Sequence, residues 1–234
     1  MITREPTRAA LHRPARRRGP TLLRAGVIAL ALCALVALSH TLDPWAYAAS
    51  TRFRSGLPKP VALYDWYQLL RQLGSALPWA LITLLLLLAA AGRRSFGPNR
   101  PPALQLAALL PASVITAGVS AELLKPVFGR LRPEDAMTAA DNQLVYKFMP
   151  VAERLGNWSD LGIPSSHGSV SVAAACAIAT LYPRTLLVTL PLAAGTCFTR
   201  IVNNNHYLSD TVAGAALGLA SALLCARLLR TTRA

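Results

Sequence analysis

The stretch QLGSALPWALITLLLLLAAAG, residues 72–92, indicates the fold class, because its 21 residues include no Asp, Glu, Lys or Arg. A membrane-spanning helix needs roughly 20 mainly apolar residues. Five further uncharged runs lie at 25–42, 101–121, 168–183, 185–199 and 211–226. The pattern predicts an all-α integral membrane bundle of six transmembrane helices, since backbone groups in lipid must be hydrogen-bonded within the segment.

The boundaries of these helices follow from charges and prolines at the ends of the apolar runs. The predicted helices span about 21–42, 73–91, 102–127, 164–182, 185–200 and 208–229. Residues 1–20, rich in Arg and Pro, predict a disordered basic tail, followed by one membrane domain over 21–230. The first apolar run also has features of a cleaved signal peptide, but it is long for one, so a retained helix is favoured. The aromatic-rich segment 43–72 predicts an outer-face region, with a short interfacial helix near 61–73.

The charge distribution predicts the orientation of the chain. The net charge is +14, and segments assigned to the inside hold 14 of the 24 cations against one acid, Glu5. This asymmetry over short loops is typical of cytoplasmic N- and C-termini in an inner membrane. Anionic lipid headgroups are the expected partner of the excess charge. Nucleic-acid binding is disfavoured, because no basic stripe interleaved with aromatics is present.

Three polar clusters lie at the edges of apolar runs. They are KPVFGRLRP, PSSHGS and RIVNNNHYLSD, at 125–133, 164–169 and 200–210. Ionisable groups at membrane depth are costly, so such clusters indicate a functional site. With the N-terminus inside, all three fall on the outer face, as a single site requires.

The first cluster supplies two cations suited to a phosphate. Lys125 offers a point charge and Arg132 a planar fork for bidentate contact. They are seven positions apart, so on a continuous helix they would share a face, although Pro126 and Pro133 disfavour a regular helix. Two basic residues snorkelling at the interface remain an alternative.

The second cluster predicts the start of a helix. Ser165 or Ser166 would cap it, and the free N–H groups of its first turn would accept an anion. His167 would then lie beside the anion and donate a proton to a leaving oxygen. A capping serine with a surface histidine is the alternative.

The third cluster contains Arg200, His206 and Asp210. His206 and Asp210 are four residues apart, so on a helix the carboxylate would hold one ring nitrogen and leave the other as a nucleophile or ligand. Arg200 adds a cation. The alternative is a His–Asp pair near a helix cap.

The order K-x6-R-P, P-S-x-H, R-x5-H-x3-D resembles the type 2 phosphatidic acid phosphatase family, which is related to the vanadium haloperoxidases. The resemblance implies that His206 attacks phosphorus, Asp210 orients it, and His167 protonates the leaving group and then activates water. It also implies catalysis without a metal or cofactor. The residues implied to hold the phosphoryl oxygens are Lys125, Arg132, Arg200, Ser165 and Ser166.

Two positions depart from the family pattern. Ser166 replaces the usual glycine of P-S-G-H, which narrows the space for an oxyanion but adds a hydroxyl. Thr199 precedes Arg200 where the family usually has serine. Glu122, one turn before Lys125, is expected to pair with it structurally rather than to act in catalysis.

The predicted function is therefore a metal-independent phosphatase acting on a lipid phosphate or diphosphate at the outer face of the inner membrane. Undecaprenyl diphosphate, phosphatidic acid, phosphatidylglycerol phosphate and lipid A are the candidate substrates that the family suggests. Alternatives are a lipid phosphotransferase with a lipid diphosphate donor, a non-enzymatic lipid transporter and a vanadate-dependent peroxidase. The segments 43–72 and 134–163 are expected to set substrate choice.

Overall fold

The computed structural model describes residues 19–91, 102–133, 146–154 and 156–231. These ranges contain seven α-helices: α1 Gly19–Ser55, α2 Asp65–Gln72, α3 Ala76–Ala91, α4 Pro102–Phe128, α5 Ser166–Ala179, α6 Leu186–Val202 and α7 Leu208–Thr231. Short 3-10 turns lie at Val61–Leu63, Val151–Glu153, Trp158–Asp160 and Pro183–Thr185. Within the described part of the chain, β pairing is confined to two isolated bridges, Arg130 to Phe148 and Leu131 to Leu161.

The chain divides into two compact units within α1. The first unit is Met1–Ala34, whose described portion is the start of α1 with exposed apolar side chains such as Val27 and Leu30. The second unit, Leu35–Ala234, contains the rest of α1 and all the other helices. The residues of all three polar clusters therefore belong to one unit.

Length and hydropathy identify the helices that suit a membrane. Four pass this test: Gly26–Ser55, Leu104–Phe128, Pro183–Val202 and Leu208–Leu229. A fifth span is present if α2 and α3, which meet at a bend of 63°, are counted as one. The apolar helix α5 has 14 residues, fewer than the roughly 20 that cross a bilayer unaided. The chain is thus an all-helical, multi-pass membrane protein, while six spans and the orientation of the termini stay predictions.

The first helix is longer than the sequence predicts. It was expected to end near residue 42, yet α1 continues through Pro44 to Ser55. Proline lacks the N–H that would bond the carbonyl four residues earlier, in His40. The Tyr146 hydroxyl lies 3.4 Å from that carbonyl, so a remote side chain approaches the group that the proline leaves unbonded.

Two other predictions concern the chain on either side of this helix. The short helix expected near 61–73 corresponds to α2, Asp65–Gln72. The predicted disordered tail 1–20 lies outside the described residues except for its last two positions, which begin α1. Part of the predicted outer loop 134–163 is likewise outside the described residues, at 134–145 and 155.

The short helix α5 is central because its side chains are small. Ala173, Ala174 and Ala177 are fully buried, and α5 packs against α4, α6 and α7. On α7, Gly214 and Gly218 face the backbone of α5, where an added Cβ would collide with the carbonyl oxygens of the residues opposite. Small residues at this spacing let two helices approach closely in a membrane protein. The start of α5 is consequently fixed against α7.

Candidate active site

The start of α5 and the start of α7 are joined by a backbone hydrogen bond. The N–H of Ser165 donates to the carbonyl of Asp210 at 3.0 Å. Ser165 also caps α5, since its Oγ accepts from the N–H of Gly168 at 3.4 Å. The capping serine of the second cluster and the aspartate of the third are therefore brought together, as the sequence requires for one site.

Lys125 lies in the last turn of α4 and is buried. Its Nζ donates to both Glu122 carboxylate oxygens, at 2.8 and 2.9 Å, so the expected pairing with Glu122 is present. The hydroxyl of Ser166 donates to Glu122 Oε1. One carboxylate thus binds two of the groups that the sequence assigns to phosphate binding, and it connects the first cluster to the second.

Arg132 does not share a helix face with Lys125. Helix α4 ends at Phe128, and Arg132 lies beyond it in an extended segment, where its N–H donates to the carbonyl of Asp160 at 3.0 Å. Gly129, which follows α4 with a φ of 69° and donates its N–H to the carbonyl of Lys125 at 2.8 Å, accounts for this end, whereas α4 continues through Pro126. The Arg132 Nε is buried and lacks a hydrogen-bond partner among the described residues. A buried donor of this kind suits an anion.

His167 occupies the first turn of α5, against the turn that joins α2 to α3. A Cβ added to Gly74 would lie 2.6 Å from His167 Cβ, so this turn is in direct contact with the histidine. The charged and titratable groups that act electrostatically on His167 come from three helices and the turn before α7. They are Arg200, His206, Arg71 and Lys125.

Arg200 and His206 lie on either side of the turn between α6 and α7. Arg200 is in the last turn of α6 and 5% exposed, and its carbonyl accepts the N–H groups of Asn205 and His206, each at 3.1 Å. His206 Nδ1 lies 3.6 Å from Asp210 Oδ2, close enough for electrostatic attraction but longer than a hydrogen bond. The predicted pairing is therefore present as proximity, although His206 precedes α7 rather than sharing a helical face with Asp210.

The environment of His206 favours its neutral form. Burial is the main cause, and it lowers the pKa of His206 to about 4. The carboxylate of Asp210 acts in the opposite direction, while Arg200 and Arg132 lower the pKa further. A neutral imidazole beside cations is the state in which a ring nitrogen can act as a nucleophile.

Sequence reasoning missed three charged residues near this site. Arg130 lies inside the first cluster and donates to Asp210 Oδ1. Asp43 in α1 accepts from the N–H of Ser209 at 2.8 Å. Arg71 in α2 acts electrostatically on His167. Arg130 was visible as a third cation in KPVFGRLRP and Asp43 as the acid that ends the run 25–42, but their partners are remote in sequence.

The site therefore combines three cations with two histidines and a buried carboxylate at one end of the helices. Lys125, Arg132 and Arg200 provide positive charge, and both histidines lie within its electrostatic reach. Such an arrangement can bind a tetrahedral anion and transfer a phosphoryl group by nucleophilic attack and proton transfer. Within the described residues, no group of three or more His, Cys, Asp or Glu side chains is positioned to hold a metal ion.

Sequence comparison matches residues 106–234 to the PAP2 superfamily. The chain is 30% identical over 189 residues to a lipid A 1-phosphatase from Rhizobium etli, covering 78% of this chain and 75% of that protein. It is 32% identical over 114 residues to a lipid A 1-phosphatase from Rhizobium johnstonii, covering 49% of this chain and 44% of that protein.

Two solved structures have a similar fold. LpxE from Aquifex aeolicus superposes with a TM-score of 0.50 at 15% identity, covering 73% of this chain and 88% of its own. A transmembrane PAP2-type phosphatidylglycerolphosphate phosphatase from Bacillus subtilis superposes with a TM-score of 0.55 at 16% identity, covering 88% and 95%. At these identities the likeness concerns the fold.

Proposed function

The chain belongs to the PAP2 superfamily and is a phosphatase, and from this membership we propose that it removes phosphate from a lipid phosphate or diphosphate without a metal. The convergence of His167 and His206 with three cations, two from the last turns of α4 and α6 and one from the extended segment after α4, is the observation that carries the proposal. The similarity to lipid A 1-phosphatases supports a lipid substrate. A site at the ends of apolar helices suits an amphiphile whose tail stays in the bilayer.

In the first chemical step, His206 attacks the phosphorus atom. The Nδ1 atom faces Asp210, so the other ring nitrogen, Nε2, supplies the electron pair for the new P–N bond. The bond between phosphorus and the leaving oxygen breaks, and His167 gives that oxygen a proton. The products of this step are a phosphohistidine and the dephosphorylated lipid, or the lipid monophosphate if the substrate is a diphosphate.

In the second step, water hydrolyses the phosphohistidine. His167 has lost its proton in the first step and now accepts one from the attacking water. The P–N bond breaks, its electron pair returns to His206, and inorganic phosphate leaves. Throughout both steps, Lys125, Arg132 and Arg200 would stabilise charge on the phosphoryl oxygens, together with N–H groups near Ser165 and Ser166 at the start of α5.

The proposed orientation has both termini in the cytoplasm and the site on the outer face of the inner membrane, which agrees with the excess of cations in the assigned inner segments. A reporter that is active only outside the cytoplasm, fused to the C-terminus, tests this topology. An inactive fusion is expected, and activity there would reverse the assignment.

The activity test is phosphate release by purified protein in detergent with EDTA, across lipid phosphates and diphosphates. His206→Gln, close in size to histidine, should abolish release, whereas His12→Gln in the N-terminal tail should retain it. Acid-labile label transferred from a radioactive lipid phosphate to the wild type, and not to His206→Gln, would support the phosphohistidine. Activity that requires a divalent metal, or survives in folded His206→Gln, would refute the mechanism.

The lipid phosphotransferase alternative shares the same intermediate. Adding a lipid acceptor to the same assay distinguishes the two, because a transferase would label the acceptor at the expense of phosphate release.

A further inference from the structure

The carboxylate of Asp210 is held from two directions. Arg130 donates from Nη2 to Oδ1. The N–H of Tyr207 donates to Oδ2 at 2.9 Å, and this same oxygen lies 3.6 Å from His206 Nδ1. Because the two oxygens have different partners, the plane of the carboxylate is fixed, and Oδ2 is the oxygen that faces the histidine.

The side chain of Arg130 is buried and makes further contacts that hold it beside Asp210. Its side chain is 5% exposed, and Nη2 also donates to Ser209 Oγ at 2.9 Å. Its guanidinium carbon lies 4.9 Å from the centre of the Tyr207 ring and 5.5 Å from that of Tyr146. These aromatic faces favour a cation at this point, so Arg130 has little freedom to turn away from Asp210.

Asp43 completes the network from α1. Its carboxylate is fully buried and accepts from both the N–H and the hydroxyl of Ser209, at 2.8 and 2.5 Å. Ser209 lies in the first turn of α7, so Asp43 caps the helix that carries Asp210, where a negative charge is favourable. Arg130 Nη1 lies 3.8 Å from Asp43 Oδ2 and therefore stands between two buried carboxylates.

Tyr146 and His40 are the members of this network on its exposed side, and both contact Asp43. Tyr146 donates to Asp43 Oδ2 at 3.2 Å, and burial, with the nearby Asp43 charge, raises the pKa of Tyr146, so its hydroxyl remains a donor. His40 stacks on Tyr146 with a ring separation of 4.6 Å, and its Nδ1 lies 3.3 Å from Asp43 Oδ2 and 3.4 Å from Arg130 Nη1. Asp43 thus has partners on α1, on the Tyr146 segment and on α7.

We infer that Arg130 and Asp43 are positioning residues for the proposed nucleophile: they act through Asp210 and Ser209 to hold His206 in line with the phosphorus atom. This inference rests on the function proposed above. Arg130 orients the carboxylate directly, and Asp43 fixes the first turn of α7. Asp43 lies outside residues 106–234, which match the superfamily, so α1 contributes to the reaction centre through a residue that the superfamily match does not cover.

The charges explain why both residues are needed. Two buried carboxylates close together repel each other, and the Arg130 cation between them reduces that repulsion. Removing one member of a buried ionic network leaves its partner uncompensated, which displaces or neutralises it. Without Arg130, Asp210 would lose the cation that orients it and keeps it ionised. Without Asp43, the first turn of α7, which carries Asp210, would lose its cap. In both cases the cations that bind phosphate would be unchanged.

The test compares Asp43→Asn, Arg130→Gln and Arg130→Lys with Arg154→Gln. Arg154 is the matched control, because it braces the same stretch of chain by donating to the carbonyls of Met149, Pro126 and Val127, none of which belongs to the site. Each variant is measured for kcat and KM on the best lipid phosphate, for inhibition by inorganic phosphate, and for its unfolding temperature in detergent.

We expect Asp43→Asn and Arg130→Gln to lower kcat by about 10–100-fold, as misplacement of a reacting group does. The KM and the inhibition constant for inorganic phosphate should stay within about threefold, because the anion-binding groups are untouched. Arg130→Lys, which retains the charge, should recover part of kcat. If Arg130→Gln does not fold, Asp43→Asn and Arg130→Lys carry the test.

The inference is wrong if Asp43→Asn and Arg130→Gln fold and keep the kcat of Arg154→Gln. It is also wrong if phosphate affinity falls in parallel with kcat, since the two residues would then support the fold of the whole site. Absence of phosphate release from the wild type, on every lipid tested, would instead refute the proposed function and this inference together.

Discussion

Substitution of Gly214 by alanine tests whether the contact between α5 and α7 sets the geometry of the site. A methyl group at this position would meet three backbone atoms of Ser165, with C and N at 3.2 Å and the carbonyl oxygen closer still. Backbone atoms cannot rotate away as a side chain does, so the two helices must separate by several tenths of an ångström to about 1 Å to regain ordinary contact distances.

The cost of that separation follows from two opposing effects. Overpacking of this kind typically costs about 1–3 kcal/mol. Replacing glycine by alanine in a helix interior stabilises the folded state by roughly 0.5–1 kcal/mol. We therefore expect a net loss of about 1–2 kcal/mol. The effect on kcat should be larger than the effect on stability, because the N–H of Ser165 is hydrogen-bonded to Asp210 and Ser165 caps the helix that carries His167. A 1 Å misplacement costs on the order of 100-fold in rate, so kcat should fall by about 10–100-fold.

Gly118→Ala is the matched control, because Gly118 in α4 also faces α5. Its added methyl would meet only Val170 Cγ2, at 3.4 Å, which is an ordinary contact with a side chain. The assay is phosphate release from a lipid phosphate in detergent, with the unfolding temperature measured on the same preparations. If Gly214→Ala matched Gly118→Ala in both kcat and unfolding temperature, the close packing of α5 on α7 would not be what positions the site.

Three further predictions concern single groups. Burial lowers the pKa of His206 to about 4, so the histidine stays neutral at neutral pH. We therefore expect the acid limb of the kcat/KM profile well below pH 6.5, and a limb centred at the ordinary histidine pKa would contradict this. Arg71→Gln should raise KM about 3–10-fold for a lipid diphosphate and less for a lipid monophosphate, because the Arg71 charge acts at His167, on the leaving-group side. Equal increases in KM for both substrates would count against this prediction. Ser166→Gly should keep kcat within about tenfold, because Lys125 retains its bonds to Glu122; loss of all activity in folded protein would assign the hydroxyl an essential role.

The helices were predictable from the sequence to the extent that their boundaries depend on local chemistry. Charge-free apolar runs identify α3, α4, α6 and α7, because lipid excludes unpaired backbone groups. The end of α1 was not predictable in this way. Its continuation past Pro44 involves contacts with Tyr146, which is more than 100 residues away in the chain. Local pattern alone carries no information about such a partner.

The same distinction applies to the site. The three clusters and their charged residues were predictable, because each is a compact motif and ionisable groups at membrane depth are rare. The different roles of the two arginines in KPVFGRLRP were not predictable. Arg132 has a buried Nε without a partner among the described residues, whereas Arg130 binds a carboxylate in α7. Residues two positions apart in an extended segment lie on the same face, so local pattern predicts a shared target for these two arginines, and their different partners depend on how the helices pack.

The pairing of Lys125 with Glu122 has a thermodynamic consequence for turnover. A buried ammonium already neutralised by a carboxylate does not exert its full attraction on an incoming anion. Binding of a phosphoryl group at Lys125 would then be an exchange of one anion for another, and only the difference between the two would appear as affinity. We expect inorganic phosphate to bind weakly for this reason, so that the product dissociates after each reaction and does not inhibit the next one. Tighter product inhibition in Glu122→Gln than in the wild type would be the sign of such an exchange.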